Sequence, residues 1–518
     1  MNFDDVIYLS LLFFSIGFGY YYRTIKDQDL KKNVGTIVGI LLTFIVSGVH
    51  ILHSFVTILV NTLIILYVNK KQCHLVSFAF SFSYLLFFRS TVYFGIPYPP
   101  AHTNMVQMML TLKLVGLAFE VNSTYNAQKK RDTSEKSQDE KDEDEANKIE
   151  PNCADIFHYA FNYVGVLTGP YYRYRTFVDY LNFPFAEHVN WKKATIDKLK
   201  YVPLYAILFL WGTYNWPLSY ATSDEFYERS WLYRYWYIWP NFFIFRMRIY
   251  IGLVLSECVC TMAGLGAYPI FTNPKSGQGP SEKFSDMKKL ISNDVSLSKT
   301  EYSFEAVHNI NPYGADFCTT YREAMKHWNI CIQYWLAVNI YKRFPNKKHR
   351  TTVTMLVSSF WHGIYSGYYC CIGTVPFALA LEDVYYKLYL KDAKGQFLKI
   401  YGWVHWFVRM HFFSYQAIAF LLLEVNVILH YYNSIYHAGL VIGIILYVVG
   451  LQLLKTKRIK EKKEVRSEGA QQKYPCGVLA QAEFGGYRSG LFSLHDGDSI
   501  YHKPTHTAYL HDEHAVRN

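Results

Sequence analysis

Apolar residues run along this chain in long blocks separated by short polar segments, and they do not alternate with polar residues. Val6–Tyr22, Val34–His50, Ile51–Tyr67, His74–Phe88 and Met105–Val121 are each nearly free of charge. Each is close to the roughly 20 residues that a helix needs to cross the bilayer core. Backbone polar groups have no water to bind in lipid, so runs of this length read as helices. After a polar tract come Phe157–Leu167, Tyr201–Tyr220, Tyr237–Gly264, Thr352–Leu381 and Ser414–Leu454. The last two are long enough for two crossings each, or for one crossing and a re-entrant piece. The pattern predicts an all-α, multi-pass transmembrane helical bundle of about 11 spans.

Basic residues thread the first spans. "RTIKDQDLKK" follows the first run and "NKKQ" the third, and positive loops face the cytosol. The N-terminus is then expected on the lumenal side, with Gly48–His50 as a lumenal turn and "FGIPYPP" as a proline-stiffened lumenal loop. The mixed-charge, aromatic-free tract within 127–150 reads as a disordered cytosolic linker. On this threading the sequon Asn122-Ser123-Thr124 lies on the wrong side of the membrane for glycosylation. Between Phe271 and Ser303 lies a loop rich in Pro, Gly, Ser and Lys with no periodicity. The chain divides into a membrane domain, 1–454, and a polar, disordered cytosolic tail, 455–518.

Composition sharpens the membrane reading. The chain is 51% hydrophobic and 18% aromatic, with 46 Tyr and 37 Phe, more large rings than a soluble domain of this size uses. The first run follows Asp4 and Asp5 without a small-residue cleavage pattern and reads as a retained anchor. The net charge of +11 is uneven and gathers in "KTKRIKEKK" and in "YKRFPNKKHR", Tyr341 to Arg350. Such clusters suit anionic headgroups or a phosphorylated ligand. The nine cysteines are scattered, without zinc-site spacing or a disulfide framework. The tail histidines are irregularly spaced. No metal and no nucleic acid is expected as a partner.

Chemistry concentrates in the C-terminal half. An ionisable residue at membrane depth is expensive and therefore often functional. His362, in "SSFWHGIYSGYY", is the foremost case: it titrates near neutrality and suits a general base. If the helix continues through it, Ser358, Ser359, Tyr365 and Ser366 share its face. Gly363 and Gly367 then form a small pair that lets another helix approach. A structural histidine satisfied by those hydroxyls remains the alternative. "HWNICIQYWLAVNIYKRFP" predicts an amphipathic helix from His327 that carries Trp328, Asn329 and, one turn on, Gln333. Asn329 either ties helices together or polarises a carbonyl oxygen. Lys342, Arg343, Lys347, Lys348 and Arg350 make a cationic loop beside it. Two doublets, Arg173 with Arg175 and Arg246 with Arg248, lie in aromatic surroundings, and the planar arginine fork suits phosphate. Glu257 is a candidate counter-ion for the second doublet. No nucleophile elbow, H-E-x-x-H, Walker loop or G-x-G-x-x-G occurs, and neither does His-x4-Asp. Any catalysis is therefore expected to proceed without a metal or a serine nucleophile.

The Trp-Asn segment, the basic loop and the lone "WHG" histidine together resemble the membrane-bound O-acyltransferase (MBOAT) family. "LHSFVTIL", "SFSYLLFFRS", "TNMVQMMLTLKLV", "VGVLTGPYYRYRT", "FRMRIY", "GLGAYP", "YKRFP", "WHGIYSGYY" and "WVHWF" resemble its lysophosphatidylinositol acyltransferase branch. The likeness spans roughly Ile7 to Leu454. It implies a helical bundle enclosing a chamber, with acyl-CoA as co-substrate, no bound cofactor, and lysophosphatidylinositol as acceptor among the membrane lipids. It implies His362 as base and Asn329 as its partner, a polyunsaturated donor chain with arachidonoyl foremost, and residence in the endoplasmic reticulum membrane. The substrate-binding candidates are Arg173, Arg175, Arg246, Arg248, Lys342, Arg343, Trp328, Gln333, Ser358 and Tyr365. One rival keeps the chemistry and changes the acceptor to another lysophospholipid or a protein. Another is a polytopic transporter, which would show repeated half-domains or matched broken helices. Neither feature occurs.

Overall fold

The computed structural model describes residues 3–131, 148–291, 294–391 and 394–471. Most of the predicted linker and the tail beyond 471 lie outside the described residues. The first compact unit is 1–458. Its N-terminal helices follow the apolar runs closely: α1 Phe3–Tyr22, α2 Gln28–Ser47, α3 Ile51–Tyr67, α4 Cys73–Arg89 and α5 Ala101–Arg131. Asp27 starts α2 by accepting the Leu30 N–H at 2.6 Å, an N-cap that satisfies a donor the helix cannot. A 3-10 turn, Gly48–His50, joins α2 to α3 at the predicted turn.

The later runs break into shorter pieces. α6 Cys153–Phe161, α7 Tyr174–Asn182, α8 Trp191–Leu199 and α9 Val202–Asn215 lead to the long α10, Ile238–Ala263, which Gly264 ends in a left-handed conformation at φ 82. Then come α11 Ile330–Leu336, α12 Arg350–His362, α13 Ser366–Ile372, α14 Val375–Tyr385, α15 Gly395–Leu422, α16 Val425–Ser434 and α17 Ala438–Gln471. The aperiodic loop 271–303 holds two short helices, Phe284–Ile291 and Asp294–Lys299. Tyr302–Ser303 at its end pairs antiparallel with Tyr268–Pro269.

Four segments among the described residues have the length and apolarity of a crossing helix: Phe3–Tyr22, Gln28–Tyr67, Ala101–Lys130 and Ala438–Lys460. Gln28–Tyr67 has 40 residues, about 60 Å of helix at 1.5 Å per residue and so enough for two passes. The run Phe157–Leu167 forms no crossing of its own. α6 stops at Phe161 after nine residues, about 14 Å, and its Ile156, Tyr159, Ala160 and Phe161 lie in the core.

α5 is the inner helix, with 89% of its apolar window buried against 22% for α1. The outward faces of α1 and α2 carry exposed Phe13, Phe14, Ile37, Leu41 and Phe44. An apolar exterior of this kind has lipid as its natural solvent. Polar groups inside are paired across helices. Asn61 of α3 donates to Ser81 at 2.9 Å and accepts from Ser77 at 2.6 Å, both on α4. Lys113 of α5 donates to the Tyr159 carbonyl at 3.1 Å. The sequon residue Asn122 is 2% exposed. Its amide donates to the carbonyls of Lys70 and Lys71 and accepts from Arg343 at 3.0 Å.

α2 meets α6 at Gly39, where an added Cβ would lie 1.6 Å from the Phe161 carbonyl oxygen. Backbone cannot give way as a flexible side chain does. Gly39→Ala is therefore expected to separate the two helices and destabilise the protein by about 2 kcal/mol or more. Gly17→Ala, with nothing within 4 Å, is the neutral control. Thermal unfolding of the purified variants in detergent checks the contrast.

Candidate active site

α12 ends at His362 because Gly363 turns away in an extended conformation. A Cβ at Gly363 would strike the Tyr368 ring at 2.2 Å. The helix does not continue through the histidine, so the shared face expected from spacing is halved. Ser358 and Ser359 lie on α12 and are buried. Tyr365 and Ser366 belong to the next element, where Tyr365 is 40% exposed and Ser366 donates to the Leu423 carbonyl at 3.1 Å. Ser359 donates back to Met355 at 2.9 Å. The hydroxyls of Ser359 and Ser366 thus serve the backbone and leave the imidazole alone.

Aromatic rings surround His362. Trp361 stands edge-on at 4.8 Å, Phe420 of α15 edge-on at 5.4 Å, and Tyr368 of α13 at 5.9 Å. Among the described residues no side chain hydrogen-bonds either ring nitrogen, so both remain available to a ligand. Gly367 of the expected small pair does allow close approach. Its N–H donates to Leu423 at 2.8 Å, and a Cβ there would lie 2.1 Å from the Ala419 carbonyl oxygen. That contact holds α13 against α15 and so fixes Tyr368 beside Phe420.

The position of His362 is set by a residue that the sequence reading passed over. Arg89, at the end of α4 and 6% exposed, donates to the carbonyls of Phe360 at 2.9 Å, Trp361 at 2.6 Å and His362 at 3.0 Å. Its Nε donates to Asn104 of α5 at 3.0 Å. The last carbonyls of a helix have no partner within it and carry partial negative charge, so a guanidinium there satisfies both needs. The Trp361 indole donates to the Met108 carbonyl at 3.1 Å and ties the same turn to α5. The signal available in the sequence was an arginine closing an apolar run, "LLFFRS", with no acid nearby.

Asn329 is not inside an amphipathic helix beginning at His327. It sits just before α11 in a left-handed conformation, φ 50 and ψ 48, without a side-chain cap bond. Its Oδ1 is buried and has no hydrogen-bond partner among the described residues. A left-handed backbone beside an unused buried polar atom makes Asn329 a candidate functional position. The neighbours over-determine it. The Asn311 N–H donates to His327 at 3.0 Å, and the Ile330 N–H donates to the Asn309 carbonyl at 2.8 Å. The Cys331 N–H donates to Asn309 Oδ1 at 3.1 Å. Gln333 spends its amide on the Met325 and Trp328 carbonyls, which makes it a brace for this segment.

Glu257 of α10 anchors the loop opposite. It is 1% exposed and accepts the N–H groups of Asn309 at 2.7 Å and Ile310 at 2.8 Å. Lys198 and His308, the latter at 3.3 Å, supply its positive charge. Burial works against the His308 imidazolium, but the hydrogen bond and charge of Glu257 outweigh it and hold the pKa above the ordinary histidine value.

The two candidate catalytic residues stand at the ends of one aromatic wall. His362 touches Phe420, Phe420 touches Phe245 at 5.3 Å, and Phe245 stacks on Trp328 at 6.4 Å. Trp328 precedes Asn329, so it belongs to the wall and not to a helix face. A cleft of about 540 Å³ opens at the start of α11, lined by Lys275, Ser276, Glu305, Lys326, Ile330 and Gln333 among others.

The arginine doublets are divided by the fold. Arg175 pairs with Asp179 at 2.7 Å and is 5% exposed, while Arg173 meets Glu120 at 3.3 Å. Arg246 pairs with Asp316 at 2.6 Å. Arg248 points elsewhere, 3.7 Å from Asp5. Glu257 is therefore not the counter-ion of the second doublet. A guanidinium already matched to a buried carboxylate has little left for a phosphate. Arg343 is likewise engaged, with Asn122 and with Ser123 at 2.9 Å, whereas Lys342, Lys347 and Lys348 are exposed.

This arrangement has close relatives. The MBOAT family model, "membrane-bound O-acyltransferase family", matches residues 62–425. The chain is 44% identical to a membrane-bound acylglycerophosphatidylinositol O-acyltransferase of Drosophila melanogaster, over 89% of this chain and 95% of that protein. It is 37% identical to the protein of the same description from Xenopus laevis, over 91% of this chain and 99% of the other. The Homo sapiens protein of that description is 36% identical, over 84% and 91%. The chain belongs to the membrane-bound O-acyltransferase family and is an acyltransferase, embedded in the membrane by several helices.

Arg89→Lys is expected to leave the protein inserted and lower its acyl-transfer rate by about tenfold. An ammonium donates from a single point and cannot span Asn104 on one side and the α12 carbonyls on the other, and a small displacement of the candidate catalytic residue His362 is costly. Arg89→Ala is expected to lose more. Activity per folded molecule, measured beside abundance in microsomes, checks this.

Proposed function

We propose that this acyltransferase moves an acyl chain from acyl-CoA to the free sn-2 hydroxyl of lysophosphatidylinositol and so remodels phosphatidylinositol. The observation that carries the reading is the paired arrangement: an imidazole with unclaimed nitrogens and an asparagine with an unpartnered buried oxygen, joined by an aromatic wall. The acceptor is supported by the names of the relatives, which are acylglycerophosphatidylinositol O-acyltransferases. The donor, its arachidonoyl chain and a place in the endoplasmic reticulum membrane follow from the family resemblance.

In this mechanism a nitrogen of His362 takes the proton of the acceptor hydroxyl as its oxygen attacks the thioester carbonyl carbon. The carbon–sulfur bond then breaks, and CoA leaves as a thiolate that recovers the proton. Asn329 presents its amide N–H to the oxyanion that develops on the former carbonyl oxygen. Phe420, Tyr368, Phe245 and Trp328 exclude water, which would otherwise hydrolyse the thioester, and hold the apolar parts of both substrates. The exposed Lys342, Lys347 and Lys348 attract the phosphates of CoA or the headgroup. Arg173, paired with Glu120, and Arg175 and Arg246, paired with Asp179 and Asp316, hold the scaffold.

Microsomes carrying the wild type or His362→Ala, from cells without their own activity, are offered arachidonoyl-CoA and a panel of lysophospholipids. Selective formation of phosphatidylinositol is expected, with at least a hundredfold loss in the variant at equal abundance, about 2.7 kcal/mol of barrier. Turnover of a different acceptor overturns the substrate. Parallel loss of abundance and activity overturns the catalytic role of His362.

Arg175→Gln and Arg246→Gln are expected to lower thermal stability, each leaving a carboxylate without its partner, while apparent affinity for both substrates in the surviving protein changes little. Melting curves and KM values measured side by side distinguish this from a phosphate-binding role.

A further inference from the structure

The residue at the N-cap of a helix ordinarily has an extended backbone, and its side-chain oxygen accepts the second or third N–H of the helix. Asn329 occupies that position in α11 and does neither: it is left-handed and makes no cap bond. The N–H groups it would serve are nevertheless satisfied. That of Ile330 goes to the Asn309 carbonyl at 2.8 Å, and that of Ile332 goes to the Asn329 carbonyl at 3.0 Å. The Cys331 N–H goes to the Asn309 side chain at 3.1 Å. A residue 20 positions earlier performs the capping duty, and the amide oxygen at the cap position itself is left buried and unpartnered.

We propose that Asn309 is a positioning residue for the reaction: it caps α11 in place of Asn329 and so keeps the Asn329 amide free for the substrate. The proposal rests on the reading of Asn329 as a catalytic group. Asn309 is suited to the task because it cannot move. It is 1% exposed, and its N–H and that of Ile310 are held by Glu257 at 2.7 and 2.8 Å. The Asn311 N–H bonds the His327 carbonyl at 3.0 Å, so the 309–311 strip grips the chain on both sides of Asn329. Without the Asn309 side chain, the buried Cys331 N–H lacks an acceptor. The usual remedy is for the N-cap residue to relax to an extended backbone and cap its own helix. Asn329 would then be spent on structure, and its amide would be withdrawn from the chamber.

The test uses full-length protein in detergent, with initial rates at varied arachidonoyl-CoA and lysophosphatidylinositol and with parallel thermal unfolding. Four forms are compared: wild type, N329A, N309A and N309D, the last of which keeps an oxygen acceptor at the same reach. N309A is expected to lose kcat by about thirtyfold with both KM values within about threefold, the pattern of an interaction made in the transition state. N309D is expected to retain kcat per folded molecule within about threefold, even where its melting temperature falls from the added buried charge. If N309A does not fold, N309S replaces it, since its hydroxyl is too short to reach Cys331. Full kcat in N309A, equal kcat losses in N309A and N309D, or a change in KM alone overturns the positioning role. If N329A itself turns over at the wild-type rate, the catalytic reading of Asn329 falls and takes this proposal with it. An impaired N329A beside an unimpaired N309A removes the proposal only.

Discussion

A guanidinium enclosed between helices, with three carbonyls in front of it, holds the end of the helix that bears His362. Arg89 is 6% exposed. Moving such a charge out of water costs several kcal/mol unless its donors are met. Here Phe360, Trp361 and His362 meet them from one side and Asn104 from the other. The negative end of α12 supplies the field that a carboxylate would supply elsewhere. A carboxylate in that place would also have been a stronger acceptor competing for an imidazole proton. The clamp therefore fixes α12 to α4 and α5 without placing a base beside the histidine.

The segment that bears Asn329 is held by the opposite charge. Glu257, fully enclosed, gathers the amides of residues 309 and 310. Through them it steadies the left-handed turn at Asn329. Between the two anchors runs a wall of rings, Trp328, Phe245, Phe420 and His362. Aromatic rings offer apolar area with few rotamers to freeze, so the wall is rigid at low entropic cost. Labour is separated: ions outside the wall set the geometry of its two ends, and the wall itself is apolar.

How much of this was legible in the sequence varies by element. α1 to α5 were readable because each buries or exposes an uninterrupted apolar run, and the helix ends coincide with charge or Gly. The C-terminal half resisted because its apolar runs contain turns that only tertiary contacts dictate. Gly363 ends α12 under the Tyr368 ring, and Asn329 is left-handed because Asn309, Asn311 and Gln333 fix its neighbours. His362 and Asn329 stood out by chemistry and by resemblance, whereas Arg89, Asn309 and Glu257 act through backbone groups and leave no spacing to detect. The arginine doublets misled for a related reason. The partner of Arg246 is Asp316, 70 residues away, and Glu120 lies 54 residues before Tyr174, whose N–H it accepts. The two guanidinium groups of each doublet pair with different carboxylates.

The interior setting of Asn122 bears on how the protein's orientation can be mapped. Its amide is committed to Lys70 and Lys71 on one side and to Arg343 on the other. A glycan on that nitrogen has no room in this packing, so folded protein carries Asn122 bare on either face of the membrane. A bare Asn122 in the mature protein is therefore silent about sidedness. Reporter sequons for topology belong in the exposed connection Gly95–Tyr98, where the presence of an added sugar would locate the loop.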